Sequence, residues 1–188
     1  MQPGNIIHLY NHANGFENLF REDEDYHLFT HKLVKFASTV AEFHSYCQMP
    51  NHFHLLIRVK HEMEVCKSCL KGTPEKQAIR AFSNAFSSYT QFFNKKYGRM
   101  GGLFIPNMKQ RLVHSEIDFC KVVHYIHSNP VHHGFTKRMD EWRYSSYSYY
   151  MQGRKGWLDT TYTIENFGSL DSFRKYHDQP IGLKSAIL

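Results

Sequence analysis

Two β-rich runs stand almost end to end in this chain. AEFHSYCQ (41–48) and HFHLLIRV (52–59) are separated only by Met49, Pro50 and Asn51. Parallel strands need a crossover of a dozen or more residues, so a connection this tight joins antiparallel neighbours. In the second run Phe53, Leu55 and Ile57 face one way, and His52, His54 and Arg58 face the other. Upstream, NIIHLYNH alternates as a strand, and Asn14-Gly15 turns the chain away. EDEDYHLFTHKLVKFAST reads as a first helix, acidic in its opening turn, with Leu28, Phe29, Leu33, Phe36 and Val40 at helical spacing. Residues 60–75 have no clean period and read as a long connection. A second helix is expected from Lys76 to Tyr97, with Phe82, Phe86, Tyr89 and Phe93 as its buried stripe and Gly98, Gly101 and Gly102 ending it. LFIPNMKQRLV returns as extended chain. Ser115 is a suitable N-cap for a third helix, with Asp118 at the capping-box position. That helix carries Ile117, Val122 and Ile126 inward and is expected to stop near Asn129, because Pro130 disfavours helical geometry before it. The order strand, helix, strand, strand, helix, strand, helix predicts an α+β fold, a ferredoxin-like antiparallel sheet with helices packed on one face. The histidine strand is then central, and its other face is free to meet the third helix.

At 188 residues the chain suits one domain, placed at 1–152, with an appendage at 153–188 that is helical around 170–177. Hydrophobic residues at 41% and aromatics at 15% exclude a disordered chain. A formal net charge of +6 with many aromatics suits a polyanion that also offers bases to stack on. The opening MQPGNIIHLYNHANG lacks the basic start and apolar block of a secretory leader, and the apolar runs are too short to span a bilayer. A cytoplasmic location and no membrane partner are expected. Of the four cysteines only Cys66 and Cys69 form a C-x-x-C, and no second pair completes a structural zinc site.

The chemistry is carried by spacing. Positions i and i+2 of a strand share a face, so His52 and His54 do. Positions i and i+4 of a helix stack, so Tyr125 and Asn129 do. Two imidazoles and an amide oxygen could hold a divalent cation beside a phenol hydroxyl. Such a set suits Mn²⁺, Zn²⁺ or Ni²⁺ better than Mg²⁺. A free tyrosine is only about one part in a thousand phenolate at neutral pH. A cation that disperses charge on a phosphate would let Tyr125 attack phosphorus and form a phosphotyrosine. Lys121, one turn earlier, reads as an ordinary solvated lysine. Arg80, Lys95, Lys96, Arg99, Lys109 and Arg111 are the candidates for DNA phosphate contact, against the plainer reading of a solubilising face. His124, His127, His132 and His133 form a rival ligand set and are expected at the surface.

YCQMPNHFHLLIRV, FNKKYGRMGGLF, YIHSNPVHHGF and WRYSSY follow one another between about Ile6 and Tyr150. In these stretches the chain resembles the single-tyrosine HUH transposase family, and more closely its REP-associated branch. The resemblance implies the HUH nuclease fold, His52 and His54 as metal ligands, Tyr125 as nucleophile, and Asn129 where a third ligand stands. It implies Mg²⁺ or Mn²⁺ as cofactor and cleavage of single-stranded DNA near hairpins, leaving a 5′-phosphotyrosine and a free 3′-hydroxyl. A homodimer is one arrangement found in the family, and monomers another. The mobile branch commonly has Gln as third ligand, so Asn129 is a shorter arm. NHANGFENLF stands where many relatives have an Asn-Arg-Gly pattern. Two alternatives accompany the transposase reading: a domesticated protein that binds hairpin DNA or RNA without cutting, and a metal-dependent hydrolase that uses water and leaves Tyr125 structural.

Overall fold

A computed structural model describes residues 1–61 and 72–179. The Cys66/Cys69 pair lies outside these residues. Four strands, β1 (Ile6–His12), β2 (Ala41–Met49), β3 (His52–Val59) and β4 (Lys109–Leu112), form one sheet in the order β2-β3-β1-β4. All three pairings are antiparallel. With α1 (Asp23–Ala37) between β1 and β2 and α2 (Pro74–Tyr97) between β3 and β4, this is the ferredoxin-like βαββαβ arrangement. The extended run before β4 is longer than the strand, which keeps only four paired residues.

The alternation of β3 separates two packed layers. Phe53, Leu55, Ile57 and Val59 join Ile7 and Leu9 of β1 in a core covered by α1 and α2. Phe29 and Leu33 of α1, and Phe82, Phe86, Tyr89 and Phe93 of α2, are all buried there. α2 begins at Pro74 rather than Lys76: Thr73 caps it by accepting from the Lys76 amide, and proline fits the first helical turn. Lys96, near its end, reaches Glu22, Glu24 and Asp25 at the start of α1 and clamps the two helices together.

The opposite face carries α3 (Glu116–His132), so packing on one face holds for α1 and α2 but not for the third helix. Phe119, Val122, Val123 and Ile126 bury against Cys47, Met49 and Leu56. Two expectations for α3 fail. Ile117 is 69% exposed, because the buried side of the helix is set by Phe119, Val122 and Val123. The helix also passes through Pro130. Proline there costs one hydrogen bond, to Ile126, while His133 still donates to the Asn129 carbonyl and the buried face holds the last turn. Ser115 does cap the helix, but the Asp118 carboxylate turns to Arg111 and the His114 amide rather than closing a capping box.

After a 3₁₀ turn at Met139–Glu141, three short helices finish the described chain: α4 (Tyr147–Met151), α5 (Thr160–Phe167) and α6 (Leu170–His177). Single bridges from Ser145 to Cys47 and from Leu158 to Phe43 cover the outer edge of β2. Phe173 of α6 is fully buried against α3. His124 and His127 are not surface residues as expected. His127 Nδ1 lies 2.9 Å from His177 Nε2 and its Nε2 lies 2.7 Å from the Ser146 hydroxyl, which ties α3 to α6. His132 and His133 are exposed. No helix among the described residues is long and apolar enough to cross a membrane.

Candidate active site

The pairing of the two central strands sets Tyr10 opposite His54 and His12 opposite His52. His8, Tyr10, His12, His52 and His54 therefore share the face that α3 partly covers. The His52 and His54 ring centroids are 5.3 Å apart, and His12 stacks on His52 at 4.8 Å. α3 brings Tyr125 edge-on to His54 at 5.4 Å and to His8 at 5.9 Å. One turn later Asn129 is buried, its amide nitrogen donating to the Tyr125 carbonyl at 2.7 Å. Its amide oxygen is buried and makes no hydrogen bond of full geometry. The side chain is nonetheless close enough to favour protonation of His52 and ionisation of Tyr125. His133, just beyond α3, places its ring 5.1 Å from His52. Tyr125 thus lies against His54 and His8 of its own chain.

The electrostatics suit ligation. Burial, and then the neighbouring His12 and His133, hold His52 down to about 3. Burial and the surrounding histidines hold His54 well below the ordinary imidazole value. Both rings are neutral at physiological pH and keep a lone pair. The Asn51 side-chain oxygen lies 2.8 Å from His52 Nδ1, which fixes the proton there and frees Nε2. His54 Nδ1 lies 2.9 Å from His8 Nε2, and donation in that direction likewise leaves His54 Nε2 free. Among the described residues no three His, Cys, Asp or Glu side chains are grouped to hold a metal. The donor set is two imidazoles and the orphaned Asn129 oxygen, and it fits a divalent cation. Burial raises the Tyr125 phenol above its ordinary value, so by itself the hydroxyl stays protonated.

No protein-family model matches the chain. A Haemophilus influenzae protein named as a REP-associated tyrosine transposase is 26% identical over 156 residues, covering 78% of this chain and 75% of that protein. A solved structure described as the REP-associated tyrosine transposase bound to a REP hairpin superposes with a TM-score of 0.58 at 17% identity, covering 82% of this chain and 84% of that one. This chain resembles the REP-associated tyrosine transposases. The likeness to that solved structure is one of fold.

Measured against the REP-associated pattern read from the sequence, the fold gathers His52, His54, Tyr125 and Asn129 into one place. The six basic candidates are scattered. Lys109 and Arg111 pair with Tyr10 and His8, so they lie on the histidine face. Arg111 is 2.8 Å from Asp118. Arg80, Lys95, Lys96 and Arg99 belong to the α2 side of the sheet. There Lys96 is held by three carboxylates, and Arg99 lies 3.4 Å from Glu17. Lys121 is exposed on α3. Sequence reasoning missed His8, His12 and Asn51, and placed His133 in a rival ligand set rather than beside His52. The alternation of His8, Tyr10 and His12 in β1 was the available signal, but only the pairing with β3 brings them to the site.

Proposed function

We propose that this chain is a metal-dependent single-stranded DNA endonuclease and transposase that cleaves and rejoins DNA through Tyr125. The observation that carries the reading is the edge-on approach of Tyr125 to His54, with Asn129 on the same helix one turn away. The partner is single-stranded or hairpin DNA, in keeping with the hairpin-bound structure that shares the fold. His52, His54 and Asn129 would hold Mg²⁺ or Mn²⁺. When bound, the cation supplies Lewis acidity at a non-bridging phosphate oxygen.

The remaining work belongs to the chain's own side chains. His8 and Asn51 orient the two ligand imidazoles. Asn129 lies beside the Tyr125 hydroxyl and favours its ionised form, against the burial that opposes it. Tyr125 oxygen attacks phosphorus, the bond from phosphorus to the 3′ oxygen breaks, and that oxygen leaves with a proton as a free 3′-hydroxyl. The 5′-phosphate remains on Tyr125 and retains the bond energy for rejoining. Exposed Lys109 and its neighbour Arg111 on β4 would contact backbone phosphate beside the site.

Covalent trapping tests this. End-labelled hairpin DNA with single-stranded flanks, taken from beside the chain's own gene, is incubated with Mn²⁺ and run on a denaturing gel. A shifted band is expected, lost in Tyr125→Phe and in His54→Ala. Tight binding without an adduct would replace this reading with that of a non-cutting hairpin-binding protein. Cleavage that persists in Tyr125→Phe would indicate a hydrolase using water.

A further inference from the structure

α1 turns Asp25, Tyr26, Phe29, Leu33 and Ala37 inward. Its outer side carries His27 and His31, both exposed. Four residues apart on a helix, two side chains stand one above the other, with Cβ atoms about 5–6 Å apart. Neither imidazole makes a hydrogen bond or a ring contact with a described residue, so the ring nitrogens are open to a ligand. The proposed DNA chemistry uses neither of them. α1 packs on the core face of the sheet, whereas His52, His54 and α3 occupy the other face.

The helix that carries the pair is fastened on several sides. Lys96 ties its opening turn to α2 through Glu22, Glu24 and Asp25. The Tyr144 hydroxyl and Arg143 both donate to the Asp23 carboxylate. Phe29 and Leu33 anchor the core side. The frame therefore exists before any ligand arrives, and binding has only side-chain rotamers to order. Asp23 stands one turn before His27, on the same line as His27 and His31. Its carboxylate is held below the ordinary range by the Tyr144 hydroxyl first, and then by Arg143 and His27. A carboxylate beside a ligand histidine is the usual means of orienting the ring.

We propose that His27 and His31 form a two-point site for a late first-row divalent cation: Zn²⁺, Cu²⁺ or Ni²⁺. Imidazole suits these ions, and affinity for a given nitrogen site rises from Mn²⁺ through Ni²⁺ to Cu²⁺. Two protein donors leave the other positions of the ion to water. That agrees with the described residues holding no group of three His, Cys, Asp or Glu side chains able to bind a metal. The site is separate from the donors beside Tyr125 and does not depend on the DNA-cleaving reading. Ions then sort by chemistry: Mg²⁺ or Mn²⁺ finds an amide and a phosphate oxygen at Asn129, whereas α1 offers nitrogen alone.

Calorimetric titration with Ni²⁺ tests the site. The full chain carries His54→Ala throughout, which removes one of the donors beside Tyr125 from the comparison. In that background His27→Ala and His31→Ala should each abolish the same single equivalent of bound Ni²⁺. The double variant His27→Ala/His31→Ala should lose no more than either single one, because a chelate fails when one arm is removed. Both side chains are exposed, so the fold is expected to survive, and circular dichroism checks it. Lys35→His added to His27→Ala sets an imidazole one turn after His31 and should restore the lost equivalent. Losses that add between the two single variants would reveal two independent surface histidines and overturn the proposal. So would an unchanged stoichiometry in the double variant, or failure of Lys35→His to restore binding in a folded chain. None of these readouts involves DNA, so a missing phosphotyrosine adduct would sink the transferase and leave the α1 site standing.

Discussion

His8 has no place in the spacing logic that singles out His52 and His54, yet it is the partner of His54 Nδ1. A ligand imidazole needs its second nitrogen held, and loss of such a partner typically weakens metal binding about 10- to 100-fold. His8→Leu is therefore expected to weaken Mn²⁺ binding by about that factor in a calorimetric titration. Adduct formation should recover at high Mn²⁺. Unchanged affinity would leave His8 as mere packing. The contrast between His8 and His54 also measures what was readable at this scale. Two residues apart in a strand, or four apart in a helix, is information the chain carries locally, and it suffices to group His52 with His54 and Tyr125 with Asn129. The approach of His8 to His54 depends on the offset between two strands more than forty residues apart, which no local pattern encodes. His127 was misjudged for a similar reason: its partner, His177, lies in a segment whose docking the sequence did not reveal.

Among the elements, β3 shows how fold and site are kept apart. Phe53 and His54 are adjacent, but Phe53 points into the aromatic core with Phe29 and Phe86 while His54 points to Tyr125. Phe53→Ala should cost about 3–5 kcal/mol, the usual penalty for emptying a buried phenylalanine site. His54→Ala should cost less, since an imidazole buries less apolar surface than a phenyl ring. Urea denaturation of both variants checks the contrast, and equal losses would contradict it. Strands and long helices were legible because period two and period 3.6 are strong in β1 to β3 and in α1 and α2. The end of α3 was not, because the rule about proline describes local strain and says nothing of the buried packing that outweighs it at Pro130. Ile117 failed similarly, as an apolar residue in a first turn that the core does not reach.

For the whole molecule, the buried histidines set the acid limit. An unfolded histidine titrates near 6.5. Burial holds His44 down to about 4 and His177 down to about 3 in the folded protein. Below pH 6.5 the unfolded chain takes up protons that these folded sites refuse, so stability falls as the pH drops towards 4 and below. Each such group contributes a slope of about 1.4 kcal/mol per pH unit in that window. Denaturation midpoints measured from pH 7 to pH 4.5 should show the decline, and His44→Leu should flatten it. A profile unchanged by that substitution would mean that His44 titrates normally in the folded state.

The two faces of β3 have a consequence for the history of such a chain. Insertion of one residue after His52 would turn Phe53, Leu55 and Ile57 out of the core and His54 into it, so structure and chemistry would fail together. Substitutions confined to the histidine face can instead erase chemistry while the scaffold survives. Descent from an ancestral cutter to a silent binder is then a short walk of single replacements, whereas a shift of parity in β3 costs the core unless a bulge absorbs the extra residue, as one does between Phe43 and Ser45 of β2.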